Sequence, residues 1–241
     1  MKSDELERLV RQSLDNFYRR RLLKLSELRL KDTLKKKNPY LFRAVGVQKA
    51  SEIVERLLEA FMSSSEETIF GDAFFEPIVK AVSSGTIADG AGVDVVVETT
   101  DQYKVISVKS GPNWGNSSQV GKLQQDFTAA YGRFANRKLK KQFRALLGHC
   151  YGRKRSEPGG KRIYATRSGQ EFWEEMTGDP EFYVKLITLM RDYPVAHRTI
   201  YDKEWDKGIN RFEREFLNDF SKPDGAIDWE KLVRFNSGRA P

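Results

Sequence analysis

Two neighbouring stretches constrain the fold more than any other part of the chain: Gly92-Val93-Asp94-Val95-Val96-Val97-Glu98, and Tyr103-Lys104-Val105-Ile106-Ser107-Val108-Lys109-Ser110-Gly111. Both are short and rich in β-branched residues. Thr99-Thr100-Asp101-Gln102 between them suits a tight connection, so a β-hairpin is predicted. If Thr99 pairs with Gln102, Asp94 falls opposite Ser107, and directly opposed residues share a face. Lys109, two residues beyond Ser107, shares that face as well. A carboxylate, a hydroxyl and an ammonium therefore converge at the open end of a hairpin whose other face is valine. Glu98 is on the same face but four residues nearer the turn, roughly 13 Å from Asp94, too far to act with it. Asp94 and Lys109 interrupt buried-looking valine runs, which sets them apart from the solvated lysine of an ordinary surface hairpin.

Charge is unevenly spread around this hairpin. The 241-residue chain carries a formal net charge of +8. Residues 133–162 hold eleven Lys/Arg against one acid, Glu157, whereas residues 64–101 hold eight acids against Lys80 alone. A basic surface supplies the salt-dependent phosphate attraction of nucleic-acid binders. An acidic pocket beside such a surface repels a phosphate backbone unless a divalent cation neutralises it, so the polarity points to a metal-dependent nuclease rather than a simple DNA binder. With 39 % hydrophobic residues the chain can build a real core. A single cysteine, Cys150, excludes an intramolecular disulfide and fits a reducing compartment. There is no membrane-length apolar run, and the opening Met-Lys-Ser-Asp-Glu-Leu-Glu lacks a signal-peptide core, so a cytoplasmic protein is expected.

Taken in order, residues 4 to about 36 read as one helix, with Leu6, Leu9, Val10, Leu14 and Phe17 at helical spacing and Leu22, Leu25 and Leu28 continuing it. It either lies across the core or forms an arm for dimerisation or for embracing DNA, given Arg19-Arg20-Arg21 and Lys35-Lys36-Lys37. Asn38-Pro39 ends it. A second helix is predicted over 49–62. Ser63-Ser64-Ser65 breaks the chain and caps a third, which runs to about Val82 with Pro77 kinking it or fixing its end. Glu67 and Glu76 are nine residues apart and so face opposite sides of an ideal helix. Glu76, in the apolar setting Phe74-Phe75-Glu76-Pro77-Ile78, is the helix-borne candidate site acid, and Glu67 is read as a cap. After the hairpin, residues 111–116 form a loop at the Lys109 end. Ser117 caps a helix carrying Val120, Leu123, Phe127, Tyr131 and Phe134, and residues 144–151 read as a buried strand. Residues 153–162 form a basic, Gly/Pro-rich loop, either a mobile one that contacts phosphates or reads bases, or a solvated turn. A short strand at 163–166 and helices beyond Gly169 follow, with Phe212, Phe216 and Phe220 in a core or a dimer contact.

The Asp94 and Ser107-Val108-Lys109 arrangement resembles the site of the PD-(D/E)xK nucleases, which have an Asp on one strand and acid-x-Lys on the next. The run from Ser107 through Gly111-Pro112-Asn113-Trp114-Gly115-Asn116-Ser117-Ser118-Gln119 is similar to the signature of the PmeII-like family of type II restriction endonucleases. So are 38–44, 66–71, Cys150-Tyr151-Gly152-Arg153 and Gly169-Gln170-Glu171-Phe172-Trp173. The resemblance implies an α/β fold with a restriction-endonuclease-like core, a mixed β-sheet flanked by helices, and helical N- and C-terminal additions. On that basis residues 1–62 are expected to be a helical dimerisation or DNA-embracing region, 63–168 the catalytic core, and 169–241 a helical region packed on it. It also implies an Mg(II)-dependent homodimer that cuts double-stranded DNA at a palindromic or near-palindromic site, working beside a cognate DNA methyltransferase.

In that reading Asp94 is the central metal ligand, the Val108 carbonyl another, and Lys109 orients the attacking water and stabilises developing charge. Ser107 departs from the superfamily pattern, which most often has Asp or Glu there. Glu76 is the first candidate for the missing carboxylate; Gln119 offers only a neutral oxygen. Asn113, Trp114, Asn116, Ser117, Gln119, Arg153, Lys154 and Arg155 are the candidate DNA contacts. Two rivals stand beside this reading: a repair or structure-specific PD-(D/E)xK nuclease, and a DNA-binding protein on a degenerate nuclease fold in which Ser107 marks lost catalysis. Two histidines and one cysteine make no zinc site, no phosphate-binding Gly-rich loop is present, and His149 beside Cys150 reads as a core pair.

Overall fold

A computed structural model describes residues 2–83, 86–87 and 92–239; for 86 and 87 only the backbone is described. The chain divides into two units, each described by itself: residues 1–17 with 70–193, and residues 18–69 with 194–241. The division expected above follows the chain in three consecutive blocks, whereas each of these units joins segments distant in sequence.

The first unit holds the sheet. Its strands are β1 (Thr86–Ile87), β2 (Val95–Glu98), β3 (Gln102–Lys109), β4 (Gln142–His149) and β5 (Ala165–Ser168), in that spatial order. The predicted hairpin register is observed: Val95 pairs with Ile106 and Glu98 with Tyr103, and Thr99 N–H donates to Gln102 O at 2.9 Å. β1 is also antiparallel to β2, whereas β3, β4 and β5 run parallel. The sheet is therefore mixed. A parallel β3–β4 pair needs a crossover, and α6 (Ser117–Asn136) supplies it.

Strand alternation sorts the core into two layers. Val105, Ala145 and Leu147 face Leu123, Phe127, Ala130 and Phe134 of α6. Ile106, Val108 and Leu146 face the opposite side, where Phe74, Phe75, Ile78, Phe172 and Trp173 pack. Those residues come from a π-helical turn at Gly71–Phe75, from α5 (Glu76–Val82) and from α7 (Gln170–Thr177). Val10 and Leu14 from the start of α1 (Ser3–Glu27) and Phe182 and Leu186 of α8 (Phe182–Met190) complete that layer.

The second unit is helical. It contains the rest of α1, then α2 (Leu30–Leu34), α3 (Pro39–Ala44), most of α4 (Ala50–Phe70), most of α9 (Tyr193–Phe220) and α10 (Trp229–Ser237). Phe212, Phe216 and Phe220 lie in its core with Leu25, Leu57 and Leu58. Asn38 caps α3 through Tyr40 N and Leu41 N, so Asn38-Pro39, expected only to end a helix, opens one. Among the described residues no helix is long and apolar enough to cross a membrane.

Two helix predictions are corrected. The single helix over 4–36 is broken at Arg29, which is extended (φ −121°, ψ 133°). Leu28 and Leu30 are both buried, and two residues apart on one helix they would point about 200° from each other. Burying both demands the break. The carbonyls left open at the end of α1 are met by Arg211, whose Nη2 donates to Leu25 O at 3.4 Å and Leu28 O at 3.1 Å. Ser63–Ser65, in contrast, break nothing. α4 runs through them because Leu57, Leu58, Met62 and Ile69 form one buried stripe, and Ser65 Oγ returns its proton to Phe61 O at 2.8 Å. Glu67 therefore lies inside α4 on its exposed side and is not a cap.

Gly148 sits in β4 where an added Cβ would land on the ring of Phe172, which has no exposed surface. Gly148→Ala is expected to destabilise the protein by about 1–3 kcal/mol through overpacking, more than the roughly 0.4–1 kcal/mol that a stiffer unfolded chain returns. Urea denaturation of the variant against the parent checks this.

Candidate active site

The open ends of β2 and β3 carry the predicted cluster, and it is brought together. Asp94 lies one residue before β2, with its amide donating to Ile106 O at 2.9 Å. Its Oδ2 accepts from Ser107 Oγ at 3.1 Å and from the Val108 amide at 2.6 Å. Lys109 Nζ is 3.8 Å from the same oxygen. Ser107 is almost fully buried, at 1 % exposure, whereas Asp94 and Lys109 keep part of their surface in solvent. A hydroxyl and an amide therefore fix the carboxylate from within the sheet, and the ammonium approaches from its mouth.

Glu76 opens α5, directly after the π-helical turn. Pro77 follows it and has no N–H to give to the turn before it, while its ring crowds the carbonyl of Ala73. The backbone widens there into the π-helical turn, closed by Glu76 N–H donating to Gly71 O. Such turns are rare and recur at functional sites. Burial raises the carboxyl pKa of Glu76 above its ordinary value, and the charges of Asp94 and Asp72 raise it further, against Lys109 and Lys80. The charges of both Asp94 and Lys109 therefore act on the Glu76 carboxyl. Asp72, four residues earlier and exposed, is one of the charges that act on Glu76.

Among the described residues no three His, Cys, Asp or Glu side chains gather closely enough to hold a metal alone. The carboxylates at issue are Asp94 and Glu76, whose charges act on each other. They fit a hard cation that keeps most of its water, as Mg(II) does. They do not fit zinc.

The candidate DNA contacts divide. Asn113 is exposed and Trp114 half-buried, in the loop after β3. Asn116, not Ser117, is the N-cap of α6; it accepts from Gln119 N while Gln119 Oε1 accepts from Asn116 N. Both side chains are thus engaged in a capping box, and Ser117 is the first helical residue. Lys154 Nζ donates to Pro112 O at 2.6 Å, tying the basic segment to this loop. Arg155 pairs with Glu171 at 3.0 Å, and Arg153 is exposed. Residues 153–162 are more restrained than a mobile loop. Ser156 and Thr166 exchange two backbone hydrogen bonds, as do Gly159 and Arg162, and Arg167 clasps Glu157 at 2.6 Å.

His149 lies beside the lysine of the cluster. It ends β4 opposite Lys109 of β3, is 1 % exposed, and its Nε2 accepts from Trp114 Nε1 at 2.8 Å. Cys150 is buried, which pushes its thiol pKa well up. The two are core residues as expected, but the link from His149 to Trp114 was not foreseen: the partners are 35 residues apart and only the parallel β3–β4 register brings them together.

A mixed sheet flanked by helices, with an acid and a lysine at the end of its hairpin, is a restriction-endonuclease-like core. A model of the family described as Type II restriction endonuclease EcoO109I matches residues 4–196, four fifths of the chain, and the chain belongs to that family. The motifs likened above to the PmeII-like enzymes lie inside the matched span. The match establishes the broader kinship with type II restriction endonucleases, not the PmeII-like branch. No curated protein matches the chain.

The environment of Glu76 has a consequence for stability. A carboxyl whose pKa is raised on folding contributes stability at low pH that is lost as the pH climbs from the unfolded value, near 4.5, through the raised folded one. In EDTA, Glu76→Gln is therefore expected to be more stable than the parent at pH 7–8, with the advantage shrinking to nothing below about pH 4.5. Urea midpoints measured across that range check it.

Proposed function

We propose that this chain is a type II restriction endonuclease that hydrolyses phosphodiester bonds of double-stranded DNA at a fixed sequence, with Mg(II) as cofactor. The observation that carries the reading is the convergence of Ser107, the Val108 amide and Lys109 on one carboxylate oxygen of Asp94, in a chain that belongs to a restriction endonuclease family. Asp94 and Glu76 would hold the cation, with the Val108 carbonyl as a further ligand. When bound, the cation supplies charge neutralisation at the scissile phosphate and acidifies a water. Lys109 orients the attacking water and meets the charge that develops on the phosphate. Ser107 holds Asp94 in its rotamer.

The substrate reading rests on charge as well. The excess of Lys and Arg over 133–162 supports phosphate contacts, and Asn113, Arg153 and Lys154, all exposed, are the side chains favoured for DNA. A palindromic site read by a homodimer follows from two-fold symmetry, with residues 1–62 as the dimerising or DNA-embracing region, 63–168 as the catalytic core and 169–241 as its helical support. Kinship with the PmeII-like enzymes in particular rests on the motifs given above. A cytoplasmic location and a cognate methyltransferase, which would protect the host's own sites, belong to the same reading. The rival of a degenerate DNA binder has one observation in its favour: position 107 supplies a hydroxyl where a second carboxylate is usual.

The test is digestion of a long unmethylated duplex with Mg(II) and with EDTA. Discrete fragments only with Mg(II) are expected, and Asp94→Ala should lower the rate by about 10³-fold or more while keeping DNA affinity within a few fold. A Mg(II)-dependent smear would favour the repair nuclease. Salt-sensitive binding with no cleavage would favour the degenerate binder.

A further inference from the structure

His149 has no part in the reading above, yet it is a buried titratable group at this end of the sheet, 1 % exposed. Its ring is held from both sides. Trp114 Nε1 lies 2.8 Å from Nε2, and Ser168 Oγ lies 2.8 Å from Nδ1. An indole N–H can only donate, so Nε2 carries the lone pair. Nδ1 then carries the proton, which Ser168 Oγ accepts. Burial, Lys154 and Lys109 lower the pKa of His149 to about 4, so the ring is neutral at physiological pH and this tautomer persists. Trp114 in turn lies with its ring centroid 5.6 Å from Lys109 Nζ, within the range at which an indole face attracts an ammonium. Lys109 and His149 are directly paired across β3 and β4. The indole therefore bridges two neighbouring strand ends.

We propose that Trp114 is a positioning residue for Lys109, holding its ammonium over the indole face, and that His149 fixes the indole in place by accepting its N–H. Lys109 has a flexible four-carbon stem and three freely rotating donors. A single ion pair at 3.8 Å to Asp94 does not set its direction; the ring supplies the second restraint. The proposal rests on the reading of Lys109 as the site lysine. It gives Trp114 a task inside the protein instead of, or before, contact with DNA.

The experiment compares single-turnover cleavage and DNA affinity, the latter measured without Mg(II), for the full-length protein and for Trp114→Leu, Trp114→Phe and Lys109→Ala, after circular dichroism has confirmed folding. Trp114→Leu should slow cleavage roughly 2- to 30-fold with affinity unchanged within about twofold. Trp114→Phe, which keeps an aromatic face, should recover most of the rate. In ¹H–¹⁵N spectra of the parent, the Trp114 indole N–H should exchange slowly with solvent, and His149→Leu should abolish that protection. Equal damage from Phe and Leu, or a loss of affinity that matches the loss of rate, would overturn the positioning role while leaving Lys109 as the site lysine. Cleavage that survives Lys109→Ala would overturn the reading of Lys109 itself, and the proposal with it, as would a parent protein that cuts no DNA. Fast exchange of the indole N–H in the parent would overturn the part given to His149.

Discussion

Asp94 keeps its place because the strand opposite donates to it twice. Hydrogen bonds to an ionised carboxylate are shorter and stronger than those between neutral groups, and the 2.6 Å contact from the Val108 amide is of that kind. The donors belong to β3, which is locked by eight residue pairs to β4 on one side and by the hairpin to β2 on the other. The direction of the carboxylate is thus inherited from the most rigid part of the fold. Sites built on sheet elements hold their geometry better than sites built on loops. Everything that arrives later at the site, whether Glu76 from a helix or Trp114 from a loop, arrives at a fixed point.

That fixed point is electrostatically uncomfortable. Two partly buried carboxylates, Glu76 and Asp94, act on each other with Asp72 nearby, and the repulsion adds to desolvation in raising the Glu76 pKa. Lys109 offsets part of it. Elsewhere in the same unit acids are neutralised by direct pairing: Glu175 meets Lys104 at 2.7 Å, and Glu157 meets Arg167 at 2.6 Å. Among the described residues no cation is paired directly with Glu76 in this way. An acid left so can accept a ligand cation without first releasing a salt bridge, which is the arrangement a metal-dependent reading needs.

The hairpin was legible in the sequence because a period of two leaves no freedom once the turn is chosen. Asp94, Ser107 and Lys109 then had to meet. Glu76 was singled out because a carboxylate among phenylalanines is costly unless it is used, and its carboxyl does feel the charges of Asp94 and Lys109. What was not legible depended on tertiary burial. Arg29 looks like any helical residue until Leu28 and Leu30 are both seen to be buried. The Ser63–Ser65 run looks like a break until the stripe through Leu58, Met62 and Ile69 is seen to continue beneath it. The capping of α6 was missed by one residue because Asn116 and Ser117 are both good caps, and only the reciprocal bond with Gln119 selects between them. The His149–Trp114 contact had no local signal at all.

Ser107 has a physical explanation that does not involve lost function. At 1 % exposure, position 107 is closed to solvent, and its side chain points at Asp94 Oδ2 from 3.1 Å. A carboxylate there would face another at hydrogen-bonding distance, and such a pair cannot both ionise without a cation between them. A hydroxyl removes that repulsion and supplies a donor instead. Under the proposed reading the second acid is Glu76, the first residue of α5, whose carboxyl feels the charges of Asp94 and Lys109. The π-helical turn lies directly before it. On that reading the strand gives up a charge to gain an anchor, and a helix-borne acid returns it.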